Sequence, residues 1–536
     1  MVDQASQRLH SQQDRNPYSS SLGCWDRRFW AWKLVDFPEA TFQCNVYPLT
    51  LLLKLKESFF YKSSTTLDTI KAGLLYACRI QHRNGSFDQA FPYEQSFGAT
   101  ALLLHSLLES YQRLGSELSR AEYTQITNCL KRAASFLCQA TEKHGFISNH
   151  LAGASLALLE AGRHFDQIEF EVCSDRLLKR VLENQSAEGW FLEYSGADPG
   201  YQTLCVQYLA EINELKPSTA LENSLSQAVE FTQWFVHPDG SFGGKYGSRR
   251  TSIFYPAGFA LLSERYPLAK SIYSYMLQSI LQGRTPTTDI VDMGNLSPLL
   301  SSYLRSLMVD LVHEENGYPE LPHTWKQARH DFPEAGLHIC GNPSYYAIVG
   351  GSNGGTLKVF DKINRCLRED DGGYVGKIGK SLVTTQKTLL GRKFHASDTT
   401  VSISTCFYSL VRQTPSPFLF LMLRFVNLTI ARITPIGNWL KLRLARRLMG
   451  QRVSWPLILE RQVKFEAEQL VVEDLLRNPQ KLSLEWLEDG NPFSSIHMAS
   501  AGYPEHFDNK AEISEPLSVD VNLLRQKGVA KIRKVI

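Results

Sequence analysis

Apolar residues recur at i, i+3, i+4 and i+7 through much of the first three hundred residues, as in TALLLHSLLESYQRL (100–114), AGASLALLEAGRHF (152–165) and YQTLCVQYLAEINEL (201–215). That spacing puts one apolar stripe on each of a series of helices. Polar or glycine-bearing loops separate the stripes. The region therefore reads as amphipathic helical hairpins that bury their apolar faces against neighbouring hairpins. Four of the loops repeat a glycine-aromatic turn: NGSF (84–87), HGF (144–146), EGWF (188–191) and DGSFGG (239–244). The glycines at 85, 145, 189 and 240 lie roughly 45 to 60 residues apart, room for one hairpin each. The turns are expected along one rim of a stacked helical array.

After Pro322 the period shortens. The runs at 337–362, 372–386 and 399–411 alternate β-branched and aromatic residues with glycine turns, the pattern of short strands. The expected fold class is α+β and multidomain. An N-terminal extension covers 1–45, an incomplete (α/α) toroid 46–325, and an antiparallel β-sandwich-like domain 326–536, divided at the polar, proline-bearing stretch 317–336.

One segment of the β half departs from its surroundings. No acidic residue stands between Asp398 and Glu460, while Arg412, Arg424, Arg432, Lys441, Arg443, Arg446, Arg447 and Arg452 accompany apolar runs such as PFLFLML (417–423). A basic, apolar insertion at about 412–455 suits peripheral contact with an anionic membrane surface. It equally suits a helical excursion packed on the toroid with its arginines paired or solvated.

Composition narrows the function classes. A net charge of +3 on 536 residues gives no reason to expect nucleic acid as a partner. The opening residues contain no apolar run of the kind a secretory signal needs, and no run approaches the roughly 18 apolar residues of a spanning helix. Ten scattered cysteines form no CxxC pair, and no histidines stand at metal-ligand spacing. These features predict a cytoplasmic chain with reduced thiols, peripheral at the inner face of the membrane if the insertion binds there, and neither metal nor cofactor.

The ionisable and aromatic residues best suited to chemistry cluster in or after the four turns. The first supplies Asp88, Tyr93 and Glu94, and the second leads to Asn149 and His150 at a helix entrance. An amide beside an imidazole can bind a substrate carboxylate while a base of near-neutral pKa accepts a proton. The same Asn could equally be a helix cap. The third turn brings Trp190, Glu193, Tyr194, Asp198 and Tyr201, and the fourth Lys245, Tyr246, Arg249 and Arg250. Tyrosine works as an acid or base when a neighbouring cation lowers its pKa, and Arg pairs bidentately with carboxylates. Together the loops have the composition of a carbohydrate cleft, with aromatic faces for rings and polar groups for hydroxyls and acid substituents.

The Asn149–His150 helix start, the GYQ turn at 200–202 and the later stretch AGLHICGNPSYYAIVGGSNGGTLKVFDK (335–362) resemble the heparinase II/III-like and alginate-lyase-like group of polysaccharide-active proteins. The resemblance implies a toroid packed on a β-sandwich, a cleft between them, and β-elimination of an anionic, uronate-containing polysaccharide. By position, Asn149 would neutralise the uronate carboxylate, His150 would be the base, and Tyr201 the acid or second base. The group's glycine-rich segment often carries histidines. Here 350–362 keeps the glycines but offers Asn353, Lys358 and Asp361, which removes the expected metal ligands and leaves Lys358 to meet an anionic substrate.

Proton abstraction at C5 serves both a lyase and a uronyl C5-epimerase, and the latter would suit a nascent or lipid-linked glycan. Competing readings are a non-catalytic glycan-binding scaffold and an (α/α)-barrel glycoside hydrolase that pairs Asp88 or Glu94 with Glu193 or Asp198. A terpene cyclase of the toroidal type would need a DxDD motif in the helical half, where none occurs.

Overall fold

The computed structural model describes residues 2–142, 145–309, 318–389, 394–410, 416–433, 436–437, 439–440, 443, 453–489 and 517–536. His144 of the second turn, and Arg412, Lys441, Arg446, Arg447 and Arg452 of the basic segment, lie outside them. The helical half contains α1 (Val2–Gln12), α2 (Arg27–Trp30), α3 (Val46–Lys54), α4 (Ser64–Ile80), α5 (Phe97–Leu114), α6 (Arg120–Gln139) and α7 (Ser148–Phe165). It continues through α8 (Ile168–Leu182), α9 (Pro199–Leu215), α10 (Thr219–Thr232), α11 (Ala257–Leu262), α12 (Pro267–Leu281) and α13 (Met293–Leu307).

Six of these close a ring, α3 to α5 to α7 to α9 to α11 to α13 and back to α3, while α4, α6, α8, α10 and α12 pack outside it. This is an (α/α) toroid. The sequence distinguishes the two layers. Inner helices such as α7 and α9 are buried almost all round, whereas outer α6 and α8 show one apolar face and one charged face. The N-terminal residues belong to the same body. Ala5, Leu9 and Trp25 are core residues, Trp25 Nε1 donates to the Leu9 carbonyl at 2.9 Å, and Arg8 Nη1 reaches the Thr288 carbonyl at 2.8 Å.

The second half is two antiparallel sheets. One runs β1 (Ala328–Phe332), β2 (Leu337–Gly341), β3 (Tyr345–Gly350), β4 (Thr356–Asp361), β5 (Cys366–Asp371) in sequence order. The other draws on β6 (Val375–Ile378), β7 (Ser381–Thr384), β8 (Phe394–Ala396), β9 (Thr400–Ser409), β10 (Ser454–Phe465), β11 (Leu470–Arg477), β12 (Leu484–Glu488) and β13 (Val529–Val535). Its order is β12-β6-β7-β9-β10-β11-β13, with β8 also on β9.

Strand β3 explains how the layers stack. Alternate residues of a strand face opposite ways. Tyr346 and Ile348 enter the toroid core, whereas Tyr345, Ala347 and Val349 join Val401, Ile403 and Val463 of the larger sheet. The smaller sheet is thus sandwiched between helices and second sheet. Arg461, wholly buried, ties the two sheets through Asp371 (2.9 Å) and Asp474 (2.8 Å). Helix α14 (Pro417–Leu428) interrupts the larger sheet between β9 and β10, and α15 (Val521–Lys527) precedes β13.

Candidate active site

The glycine-aromatic turns have a shared anatomy that positions the rim. In the first, third and fourth, the glycine N–H donates three residues back, to the carbonyls of His82, Ser186 and His237. Each glycine then takes φ near +90° (Gly85 +91°, Gly189 +93°, Gly240 +89°). This is a three-residue hairpin loop with a glycine bulge. An added Cβ would fall 2.0 Å from the Arg132 carbonyl oxygen at Gly85 and 2.2 Å from that of Gln227 at Gly189, so each turn sits against an outer helix. A glutamine four residues earlier makes the clamp. Gln81 Nε2 donates to the carbonyls of Gly85 (3.0 Å) and Cys129 (2.9 Å), and Gln185 Nε2 to those of Gly189 (3.0 Å) and Ser224 (2.9 Å). A turn that the periodicity did not expose repeats the design, with Gly23 at φ +93° against Ala72 and Gln13 Nε2 on the Thr69 carbonyl at 2.8 Å. The turns fasten outer helices, and the residues that follow them open the inner helices at the rim.

The second, third and fourth loops meet around Arg249. Its guanidinium lies over the rings of Tyr194 and Tyr201, with centroids at 4.0 and 5.3 Å. Its backbone N–H donates to Asp198 Oδ2 at 2.8 Å, and the other oxygen of Asp198 caps α9 by accepting from the Tyr201 N–H at 3.1 Å. Glu193, 1% exposed, accepts on one oxygen from both the backbone N–H (3.1 Å) and the side-chain amide (2.7 Å) of Asn149. One carboxylate therefore caps α7 and aims the Asn149 amide. Burial pushes Glu193 up to about 7, against the pull of Arg249 and the Asn149 donors. Burial raises the Tyr194 phenol to about 12 although Arg249 opposes it. Burial works against the charge of Arg249 too, but Tyr201, Tyr194, Glu193 and Asp198 more than restore it. The result is a held cation, an aimed amide and a half-buried phenol on the rim where α7 and α9 begin.

The other residues singled out from the sequence are distributed around this centre. His150 follows Asn149 and pairs with Glu142 where Asn149 pairs with Glu193, its Nδ1 2.9 Å from Glu142 Oε2 and its ring against Gly98. Asp88 and Glu94 bind their own loop: Asp88 accepts from the Tyr93 and Gln95 N–H groups and pairs with His82, and Glu94 accepts from Gln89 and Ala90. Tyr93 lies in that first loop beside His82. Trp190 is buried and donates to Glu188 (2.9 Å), whose carboxylate accepts from the Glu334 and Ala335 N–H groups of the first β-hairpin turn. Tyr246 is buried with its hydroxyl 2.8 Å from His237 Nε2. Lys358 is buried on β4, its Nζ 5.5 Å from the centre of the Phe360 ring.

The glycine loop after β3 docks on the fourth turn. Asn353 accepts from Arg250 (3.3 Å) and Thr388 (3.1 Å), donates to the Lys245 carbonyl, and Lys245 pairs with Asp370. Sequence reasoning did not identify Glu142, eight residues before His150, or the bracing role of Arg250. Both are pairings across loops.

A second group of ionisable residues occupies the toroid interior. His105, Glu160 and Glu211 from α5, α7 and α9 bring ligand-capable atoms within 4.8 Å of one another, the one such triad among the described residues. His105 Nδ1 is 2.9 Å from Glu160, Arg113 pairs with Glu109 at 2.6 Å, and Arg305 approaches Glu211 at 3.8 Å. With His105 protonated, three cations face three carboxylates, so the cluster is balanced by its own charges.

Residues 41–255 match the family model described as the ulvan lyase N-terminal domain. No curated protein is a significant sequence match. Among solved structures, a Streptomyces coelicolor A3 chondroitin AC lyase in complex with chondroitin sulphate aligns with TM-score 0.57 at 11% identity, over 91% of this chain and 67% of that one. A Paenibacillus xanthan lyase aligns with TM-score 0.53 at 10% identity, over 91% of this chain and 46% of that one. The chain thus spans about half the length of the xanthan lyase, and at such identities the likeness is one of fold. The chain is similar in fold to these polysaccharide lyases, a helical toroid backed by antiparallel sheets, and residues 41–255 carry the likeness to the ulvan lyase N-terminal domain.

Proposed function

We propose that the protein is an enzyme that removes the C5 proton of a uronate in an anionic polysaccharide and eliminates the C4 substituent. The observation that carries this reading is the convergence of Asn149, Tyr201 and Arg249 on one rim, each held by a carboxylate or a ring behind it. The uronate carboxylate would take the second Asn149 N–H and the field of Arg249, which stabilises the charge that develops when C5 loses its proton. His150, with Nδ1 held by Glu142, presents Nε2 as the base. The electron pair left at C5 forms the C4–C5 double bond as the C4–O bond breaks, and Tyr201 returns a proton to the departing oxygen.

Tyr194 adds a ring beside Arg249 for the substrate, Glu193 and Asp198 hold Asn149 and Arg249 from behind, and Asp88, Tyr93, Glu94, Trp190, Tyr246 and Lys358 shape or brace the surrounding loops. Ulvan, chondroitin sulphate and xanthan form the first test panel. An ultraviolet-absorbing unsaturated uronate at new chain ends is the expected product. Cleavage with saturated ends would indicate a hydrolase and sink the reading, as would no reaction on any uronate glycan. Intact chains that have exchanged hydrogen at C5 would assign epimerisation, the same abstraction with the proton returned to the opposite face.

A further inference from the structure

Helix α14 stands apart from the other long helices among the described residues. Of its twelve residues Asn427 alone is buried, while Phe418 (71% exposed), Leu419 (62%), Leu421 (67%) and Phe425 (61%) stand in solvent. Beyond it Ile433 and Trp439 are exposed as well. A helix apolar around most of its circumference is a helix made to be surrounded by something apolar.

Its anchorage is specific. Arg424 pairs with Asp36 of the toroid half at 3.1 Å and stacks on Phe37 and Phe420, and Arg432 lies over the Tyr93 ring at 4.5 Å. The helix root is therefore fixed against the first rim loop, where Leu428 shares a cavity with Asp36, Phe37, Asp88 and Tyr93. Among the described residues these contacts all lie at the root. The opposite faces project.

We infer that α14, with Ile433, Trp439 and Arg443 beyond it, forms a peripheral docking surface for an anionic lipid bilayer. Charge chooses this occupant over a second protein surface. The 61 residues from 399 to 459 hold no acid, and exposed Arg432 and Arg443 flank the apolar side chains, with Arg443 over the Trp439 ring at 5.3 Å. Apolar residues entering the acyl boundary, with Arg and Trp at headgroup level, is the arrangement of an interfacial helix. Twelve residues fall short of the roughly 20 needed to cross, and no helix among the described residues is long and apolar enough to span a membrane. Docking would hold the first rim loop close to the lipid surface, and with it a glycan still attached to lipid or lying on the bilayer.

The test is sedimentation of the full chain with vesicles of phosphatidylcholine alone or with added phosphatidylglycerol. Binding is expected with phosphatidylglycerol, weakened by salt. The Phe418→Ser/Leu421→Ser/Phe425→Ser variant should bind about a hundredfold more weakly, and Arg432→Gln with Arg443→Gln roughly fivefold more weakly per arginine. Those side chains are exposed, so thermal melting should be unchanged. Should the triple variant misfold, quenching of wild-type tryptophan fluorescence by brominated phosphatidylglycerol, lost in Trp439→Phe, reads the same contact. Failure to bind either vesicle, or binding indifferent to the triple variant, overturns the proposal. So does a concentration-dependent dimer that the triple variant abolishes, because a second copy would then cover the helix.

Discussion

Glu193→Gln isolates the electrostatics behind Asn149. Glu193 is 1% exposed, and one carboxylate oxygen takes both donors of Asn149 while the other has no hydrogen-bond partner. Glutamine keeps the accepting oxygen and removes the charge. Burial raises the folded-state pKa to about 7 from 4.5. A raised carboxyl pKa favours the fold while the group is protonated, so its contribution is complete below pH 4.5 and is lost as pH rises through about 7. A gap of about 2.5 pH units corresponds to about 3 kcal/mol at 1.36 kcal/mol per unit. That gap already contains the pull of Arg249 and of the two Asn149 donors, and a neutral glutamine still accepts from both. At pH 5 the variant should equal the wild type or fall slightly below it, and at pH 8 it should gain about 1–3 kcal/mol relative to its standing at pH 5. Urea unfolding of both proteins at the two pH values measures the difference. A Glu193→Gln effect that is the same at pH 5 and pH 8 would refute an elevated pKa and the picture of a carboxyl held behind Asn149.

Other outcomes follow from the same geometry. Tyr201→Phe keeps the half-buried ring, so thermal stability should hold while turnover of a cleaved glycan drops about a hundredfold or more. Arg249→Lys keeps the charge but not the planar group stacked between two tyrosines, and steady-state kinetics should show a loss close to that of Arg249→Ala. Gly189→Ala places a methyl 2.2 Å from the Gln227 carbonyl oxygen at φ +93°, and calorimetry should record a loss of about 3 kcal/mol. Burial lowers the pKa of His105, but Glu160 and its neighbours outweigh that and hold it at about 9. The stabilisation is therefore complete below pH 6.5 and is lost as pH climbs through about 9. His105→Ala should weaken the fold by about 3 kcal/mol at pH 6, the worth of its raised pKa at 1.36 kcal/mol per unit, and by less at pH 9.5.

The helical half was legible because its apolar period is regular, and the turns because glycine is the residue that takes φ near +90° against a neighbouring helix. Gly23 escaped notice because the segment before it lacks an inner-helix stripe, although Gln13 and Gly23 repeat the clamp of Gln81 and Gly85. The site was legible in composition but not in pairing. Asn149 and His150 are adjacent in sequence, yet successive helical residues diverge by about 100°, and one faces Glu193 while the other faces Glu142. Tyr246 and Trp190 look like cleft aromatics in sequence. Their partners, His237 and Glu188, draw them into the packing between toroid and sheet. The interior cluster of His105, Glu160 and Glu211 comes from three helices with no shared motif, and the ring alone assembles it.

Proton abstraction at C5 is the central claim. A uronate glycan deuterated at C5, followed by mass spectrometry in ordinary water, tests it directly. The wild type should release the label into solvent as unsaturated ends appear, and His150→Ala and Tyr201→Phe should retain it. Label retained at C5 while the wild type binds or cleaves the glycan would contradict the account.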